Sequence, residues 1–210
     1  MFKLLLLAIS FCCLAEGLNV KVSVYYESLC PDSVNFITNQ FWPTYKNIGS
    51  PDILVDLIPY GKASETNRSG QWVFTCQHGP DECYGNAYHA CAISLFSKEE
   101  SAEFVYCSMS SDYPSSDETL RECASNLGLR WASLKTCYES GQYIKLLIDN
   151  GERTRSVKPA ITFIPTIVLN DKYSDRNQNA AFTGFQDLIC SVLNQQPEVC
   201  KEALEVVYIS

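Results

Sequence analysis

The sequence predicts an α/β fold, and the opening of the chain is the first observation that supports it. A β-branched run at residues 19–26 predicts a strand, and a helical pattern follows from Pro31 to about residue 42. Pro43 is expected to end that helix, and a second strand-like run covers residues 53–59. This order is typical of two parallel strands joined by a crossover helix.

A helical middle segment is the second observation. Apolar residues recur at helical spacing between residues 82 and 151, with turn signals between them, so we expect a helical insert at about residues 76–151. Ser97 and Glu100 have the spacing of a capping box, and Gly128 stands where a helix is expected to end. The insert is therefore predicted to contain several short helices.

The return of strand-like sequence near residue 161 is the third observation. Residues 163–169 are mostly apolar and β-branched, and a strand is expected to begin after Pro165. A short strand at residues 181–182 and a helix at residues 185–194 would complete the fold. The predicted order is β–α–β, a helical insert, then β–β–α.

The first 17 residues have the pattern of a signal peptide. Lys3 precedes an uncharged apolar stretch at residues 4–14, and Gly17 lies at a suitable cleavage position. A membrane-spanning helix needs about 20 apolar residues, so this stretch is too short to span, and we expect no membrane span elsewhere. Residues 18–210 are predicted to form a single domain that enters the secretory pathway and is then secreted, lysosomal or both.

The charge balance is acidic and limits the classes of partner. The chain has 16 Lys and Arg against 24 Asp and Glu, which gives a net charge of −8. An acidic surface argues against nucleic acid as a partner. The triplet that begins at Asn67 is an acceptor sequence for N-glycosylation, which we expect to be used in a secretory chain.

The number of cysteines is odd after the leader is removed. Two of the 11 cysteines, Cys12 and Cys13, lie in the leader, so nine remain in a chain that enters an oxidising compartment. Eight of these can pair, and their connectivity is left open, although Cys190 and Cys200 are close enough in sequence to join the last helix to the tail. The candidates for structural disulfides are Cys76, Cys83, Cys91, Cys107, Cys123, Cys137, Cys190 and Cys200.

Cys30 is the best candidate for the unpaired thiol and for a catalytic nucleophile. It follows the first predicted strand and opens the motif Cys30-Pro31-Asp32-Ser33 at the start of a helix. Unpaired N–H groups at a helix start stabilise a thiolate, which is the reactive form of cysteine. The alternative is a buried structural cysteine or one half of a disulfide.

Ser33 occupies the position at which a Cys-x-x-Cys motif has its second thiol. In such motifs the first thiol forms a mixed disulfide with the substrate and the second thiol releases it. A hydroxyl cannot resolve a mixed disulfide, although it could donate a hydrogen bond to the Cys30 sulfur. Cys30 could therefore open a disulfide, but release would need an outside thiol or a second substrate thiol. An ordinary helix-capping role for Ser33 is compatible with this chemistry.

Residues 76–91 resemble the signature C-Q-H-G-x₂-E-C-x₂-N-x₄-C of the gamma-interferon-inducible lysosomal thiol reductases. The residues that match after Cys76 are Gln77, His78, Gly79, Glu82, Cys83, Asn86 and Cys91. Residues 55–61 are similar to the second strand of that family, and the resemblance extends from about residue 20 to residue 200. It implies a thioredoxin-like core with a disulfide-linked helical insert.

The resemblance also implies an activity. Members of this family reduce protein disulfides in endosomes or lysosomes, and insect members are associated with antibacterial defence. An external low-molecular-weight thiol would be the electron donor, with no prosthetic cofactor. In thioredoxin-like folds a cis-proline lies beside the reactive thiol and contacts the substrate chain, and Ile164-Pro165 resembles that element. Ser33 departs from the family's second cysteine, so full dithiol activity is not implied.

Three other interpretations of these residues compete with this one. A zinc site could use Cys76, Cys83 and Cys91 with His78 and His89, but the spacing and the compartment favour disulfides, and we expect no metal. A binding protein could trap clients on Cys30 without turnover. A peroxide-scavenging thiol protein is a third class, which no feature of the sequence favours. The sequence leaves open whether His78 lies near the thiol.

Overall fold

The computed structural model describes residues 19–50, 52–194 and 197–205, so the predicted signal peptide lies outside the described residues. In chain order the elements are β1 (Val20–Tyr26), α1 (Pro31–Phe36), a π-helical turn (Ile37–Phe41), α2 (Trp42–Ile48), β2 (Ile53–Pro59), β3 (Ser64–Arg68), β4 (Gln71–Thr75), α3 (Pro80–Leu95), α4 (Lys98–Met109), α5 (Asp117–Asn126), α6 (Trp131–Glu139), α7 (Gln142–Ser156), β5 (Thr166–Leu169), α8 (Asp175–Val192) and α9 (Glu198–Glu205). In the described part of the chain, none of these helices combines the length and apolar character needed to cross a membrane.

The central sheet has the strand order β2–β1–β5. β1 pairs with β2 in parallel, with Val22 opposite Val55, and with β5 in antiparallel, with Val24 opposite Ile167. The parallel pair confirms the predicted β–α–β opening. Val22 and Val24 are fully buried in the main apolar core, which also contains Phe185 of α8. The segment between β1 and the first helix therefore starts from a buried strand, which fixes its position.

The first helical segment continues beyond Pro43, so the prediction that this proline ends the helix is wrong. Pro43 lies in the first turn of α2, where a missing N–H is tolerated. The preceding π-helical turn changes the hydrogen-bond register, since the N–H of Trp42 bonds to the carbonyl of Ile37. The helical segment ends only at Gly49.

The helical insert consists of α3 to α7 and has its own apolar core, which includes Phe104, Leu120 and Leu134. The capping box of Ser97 and Glu100 is present at the start of α4, as the sequence predicts. Two disulfides connect its helices. Cys91–Cys137 joins α3 to α6, and Cys107–Cys123 joins α4 to α5.

The structure corrects the predicted ending of the fold. The predicted strand at residues 181–182 is helical instead and lies in the first part of α8, before a kink at Gly184, whereas Phe185 begins the second part of α8, where the sequence predicts a helix. The predicted β–β–α ending therefore has the single strand β5 among the described residues. β5 begins at Thr166, directly after Pro165, as expected.

A two-stranded antiparallel hairpin, β3–β4, precedes the insert and was not predicted. Its turn contains Ser69 and Gly70, both with positive φ. Asn67 lies directly opposite Trp72 in this hairpin, and both residues are exposed. The acceptor asparagine therefore lies on a solvent-facing strand rather than in an irregular loop.

Candidate active site

Cys30 is the residue immediately before α1 and is the one cysteine outside a disulfide among the described residues. Its carbonyl oxygen accepts the N–H of Val34 at 2.9 Å, and Pro31 occupies the first helical turn. The side chain is buried, with 8% of its surface exposed. The residue therefore combines an unpaired sulfur with the helix start that the sequence predicts for it.

The loop before β5 lies against this sulfur. The Ile164–Pro165 peptide bond is cis, and the Cys30 thiol donates a hydrogen bond to the carbonyl oxygen of Ile164, with 3.7 Å between sulfur and oxygen. Gln178 of α8 holds the loop before β5 through two hydrogen bonds to its backbone. Its amide donates to the Pro165 carbonyl at 3.0 Å, and its oxygen accepts the N–H of Ile167 at 2.8 Å. The structure thus brings Ile164 and Pro165 together with Cys30.

Ser33 is fully buried one helical turn after Cys30. Its hydroxyl oxygen accepts the backbone N–H of Glu27 at 3.3 Å. Within the described residues, no hydrogen bond joins this hydroxyl to the Cys30 sulfur, so the expected contact between them is not present. Ser33 instead ties the start of α1 to the end of β1.

The signature helix α3 holds the loop that leads to Cys30. The side chain of Asn86 accepts the N–H of Ser28 at 2.9 Å, and the Ser28 hydroxyl donates to the Glu82 carbonyl at 3.1 Å. Ser115 also donates to the Ser28 hydroxyl at 3.3 Å. Gly85 makes this contact possible, because a Cβ there would lie 2.1 Å from the Ser115 oxygen and 2.5 Å from the Ser28 oxygen.

The signature cysteines form disulfides rather than a metal site, which overturns the zinc interpretation. Cys83 is bonded to Cys76, and Cys91 is bonded to Cys137. His89 is fully buried, with Nδ1 at 3.1 Å from the Tyr26 hydroxyl and Nε2 at 2.6 Å from the Ser108 hydroxyl. The expected pairing of Cys190 with Cys200 is also present.

His78 lies in the loop that the Cys76–Cys83 disulfide closes, and it faces carboxyl groups. Its Nδ1 is 2.5 Å from Oε2 of Glu82 and 3.6 Å from Oε2 of Glu27. Glu27 lies between β1 and the Cys30 loop and was not singled out from the sequence. No motif in the sequence marks Glu27, because its burial next to His78 arises only on folding.

A cleft lies next to the Cys30 loop and has a volume of about 500 Å³. Leu29, the residue before Cys30, forms one wall. Tyr84 and Tyr113 line it together with acidic side chains that include Asp81 and Asp112. The arrangement offers aromatic and acidic surface beside Leu29, the residue that precedes the thiol.

A buried thiol at the start of the first helix, a cis-proline loop against its sulfur and a β–α–β core define a thiol–disulfide oxidoreductase of thioredoxin-like fold. Solved structures agree with the fold. A DsbA from Chlamydia trachomatis superposes with a TM-score of 0.57 at 15% identity, covering 84% of this chain and 85% of its own. The thiol-disulfide exchange protein alpha-DsbA2 from Wolbachia pipientis gives 0.54 at 14% identity, with 90% and 83% covered.

The chain belongs to the gamma interferon inducible lysosomal thiol reductase (GILT) family, whose sequence model matches residues 21–127. GILT-like protein 1 of Drosophila melanogaster is 34% identical over 87% of this chain and 79% of its own length. The gamma-interferon-inducible lysosomal thiol reductase of Carassius auratus is 32% identical, over 89% and 74%. The family and the fold make this chain a thiol–disulfide oxidoreductase.

Proposed function

We propose that this protein exchanges protein disulfides through a single nucleophile, Cys30, and that it depends on an external thiol for turnover. The observation that carries the proposal is the unpaired Cys30 sulfur at a helix start, in contact with the loop of the cis-proline Pro165. Ser33 supplies no second thiol. The family activity is thus proposed to run here in a single-thiol form.

The proposed reaction begins when the Cys30 thiolate attacks one sulfur of a substrate disulfide. A mixed disulfide forms, and the other substrate sulfur leaves as a thiolate. A donor thiolate, such as cysteine or glutathione, then attacks the Cys30 sulfur and releases the second substrate thiolate. A second donor thiolate attacks the donor sulfur now bound to Cys30, which yields the oxidised donor and regenerates the Cys30 thiolate.

Isomerisation needs no net electron input in this scheme. A second thiolate on the same substrate attacks the substrate sulfur of the mixed disulfide, forms a new substrate disulfide and releases Cys30. Ile164 and Pro165 are proposed to contact the extended substrate chain next to the reacting sulfurs. The tyrosine-lined cleft beside Leu29 would accept substrate side chains that flank the disulfide.

Insulin reduction with cysteine or glutathione as donor tests the proposal. We expect donor-dependent turnover by the natural sequence and a rate equal to the donor-only background for Cys30→Ser. Asp187→Asn, in the exposed part of α8 remote from the thiol in the chain, is a matched control and should keep the natural rate. Equal rates for the natural protein and Cys30→Ser would overturn the single-nucleophile proposal.

A trapping protein is the second candidate, because Ser33 cannot release a mixed disulfide. Non-reducing gels after incubation with a disulfide-bonded substrate distinguish the two functions. Adducts that require Cys30 and persist in excess glutathione would favour trapping. Adducts that disappear as reduced substrate accumulates would favour turnover.

We further propose that the protein travels through the secretory pathway, carries a glycan on Asn67 and acts in lysosomes or outside the cell. An immune role would follow from the family. Expression in secretory cells tests the passage through the secretory pathway and the glycan on Asn67. The mature chain should begin at Leu18, and a glycosidase should reduce the mass of the natural protein but not that of Asn67→Gln.

A further inference from the structure

Three side chains that the thiol chemistry does not use converge near the Cys30 loop. Glu27 follows β1, His78 lies in the loop before α3, and Glu82 lies in the first turn of α3. Each residue offers one possible ligand atom, and these three atoms all lie within 4.8 Å of one another. One imidazole nitrogen and two carboxylate oxygens are a ligand set that suits a divalent transition-metal ion.

A buried orphan atom gives independent support. The Glu27 side chain is fully buried, and its Oε1 accepts the N–H of Lys62 at 2.7 Å. Its Oε2 has no hydrogen-bond partner and faces His78. An unpartnered buried carboxyl oxygen is costly, because water can no longer solvate it and no protein donor replaces the water. A ligand on that oxygen would remove the cost.

The local charge balance also lacks a cation. In the described part of the chain, His78 is the only basic side chain within ion-pair distance of Glu27 or Glu82. Two buried carboxyl groups therefore share one imidazole. A divalent cation would neutralise both of them.

The ligands are held by rigid parts of the structure. The Cys76–Cys83 disulfide closes the loop that carries His78, and the His78 N–H donates to Oε1 of Glu82 at 3.2 Å. Gly61 packs directly on Glu27, since a Cβ there would lie 2.2 Å from the Glu27 Cγ. The His78 side chain is 37% exposed, which leaves one side of the cluster open to solvent.

We propose that Glu27, His78 and Glu82 bind one divalent transition-metal ion, with zinc as the reference ion. The three protein ligands leave a fourth position for water. This departs from the expectation of no metal, and it uses none of the cysteines of the zinc interpretation. Because the Glu27 N–H donates to the Ser33 hydroxyl, the bound ion would also stabilise the start of α1.

Zinc titration by calorimetry tests the site in a Cys30→Ser background, where the reactive thiol cannot act as a ligand. The protein is first treated with a chelator and desalted, and zinc chloride is then added near neutral pH. We expect one zinc ion per chain and an affinity at least about tenfold lower in Glu27→Gln and His78→Gln. Asp81→Asn, next to Glu82 but exposed, is the matched control and should bind as the background does.

Cobalt substitution provides a second readout. The cobalt complex should show the absorption of a nitrogen and oxygen site without a thiolate charge-transfer band. His78→Gln keeps the test valid if Glu27→Gln fails to fold, because the His78 side chain is partly exposed. The proposal is overturned by the absence of saturable binding, by unchanged affinity in His78→Gln, or by an equal loss in Asp81→Asn. Since Cys30 is absent from these chains, the result is independent of the exchange activity.

Discussion

At the residue scale, Ser33 is the position at which a second thiol tests the proposed single-thiol mechanism. We predict that Ser33→Cys raises the insulin reductase rate several-fold at limiting donor concentration, because a thiol in the same chain can attack the mixed disulfide. Steady-state rates measured against glutathione concentration check this, and the dependence on donor should become weaker.

Ser33→Ala is the matched control for that substitution. It removes the oxygen that accepts the Glu27 N–H and should lower the free energy of unfolding by about 1 kcal/mol without increasing the rate. A rate for Ser33→Cys that equals the natural one would show that Ser33 does not occupy the missing resolving position.

No side chain larger than that of glycine fits at position 85 in the signature helix α3. We predict that Gly85→Ala lowers the free energy of unfolding by about 1–3 kcal/mol, because the new methyl group overlaps the hydroxyls of Ser28 and Ser115. Denaturant unfolding measures the change. Gly184→Ala is the control, since its Cβ would come no closer than 3.4 Å to the side chain of Asp187. Equal losses in the two variants would contradict the crowding argument.

Individual roles could be predicted from the sequence only where composition or a motif carries them. The free Cys30 follows from an odd number of cysteines and a strand-to-helix junction, which are both visible in the chain. Gln178 and Glu27 could not be found this way. Gln178 contacts the cis-proline loop from a different helix, and Glu27 becomes notable only when folding buries it next to His78.

At the scale of secondary-structure elements, two disulfides should differ in their effect on stability. Replacing both Cys91 and Cys137 with alanine should lower the free energy of unfolding by about 4 kcal/mol, because their separation of 46 residues closes a long loop in the unfolded chain. Cys190 and Cys200 are separated by 10 residues, so the same replacement there should cost about 3 kcal/mol. Chemical denaturation of both double variants gives the comparison. The reverse order would show that native-state packing outweighs loop entropy.

The elements that the sequence predicts correctly are those with strong apolar patterns, such as β1 and β2. The β3–β4 hairpin has mostly exposed positions and therefore lacks the alternating burial that usually marks a strand. Its Ser69-Gly70 turn was the available signal. In α8 the backbone of Gly184 is nonhelical and kinks the helix, so the boundary that the sequence predicts before Phe185 is present, and the helical residues before it were not predicted.

At the scale of the whole molecule, His89 links stability to acidity. Burial lowers the pKa of His89 from 6.5 to about 3. The unfolded chain therefore takes up a proton below about pH 6.5 while the folded chain does not, so stability is full above that pH and decreases as the pH falls toward 3. From neutral pH to about pH 4.5, we predict a loss of about 3 kcal/mol from this group.

Denaturant unfolding of the natural protein and of His89→Gln across this pH range checks the prediction. The variant should be less stable at neutral pH, because the ring's contacts with Tyr26 and Ser108 change, but its stability should depend less on pH. Parallel pH profiles for the two proteins would show that other groups cause the acid sensitivity.

The cross-strand pairing of Asn67 with Trp72 has a consequence for the outside of the molecule. Side chains directly opposite each other in an antiparallel pair point to the same face, so a first sugar on Asn67 would lie over the indole ring. Trp72 is 38% exposed in the bare polypeptide. Carbohydrate at this position would act as a cover for an apolar surface as well as a solubilising group, and its enzymatic removal should change the tryptophan fluorescence.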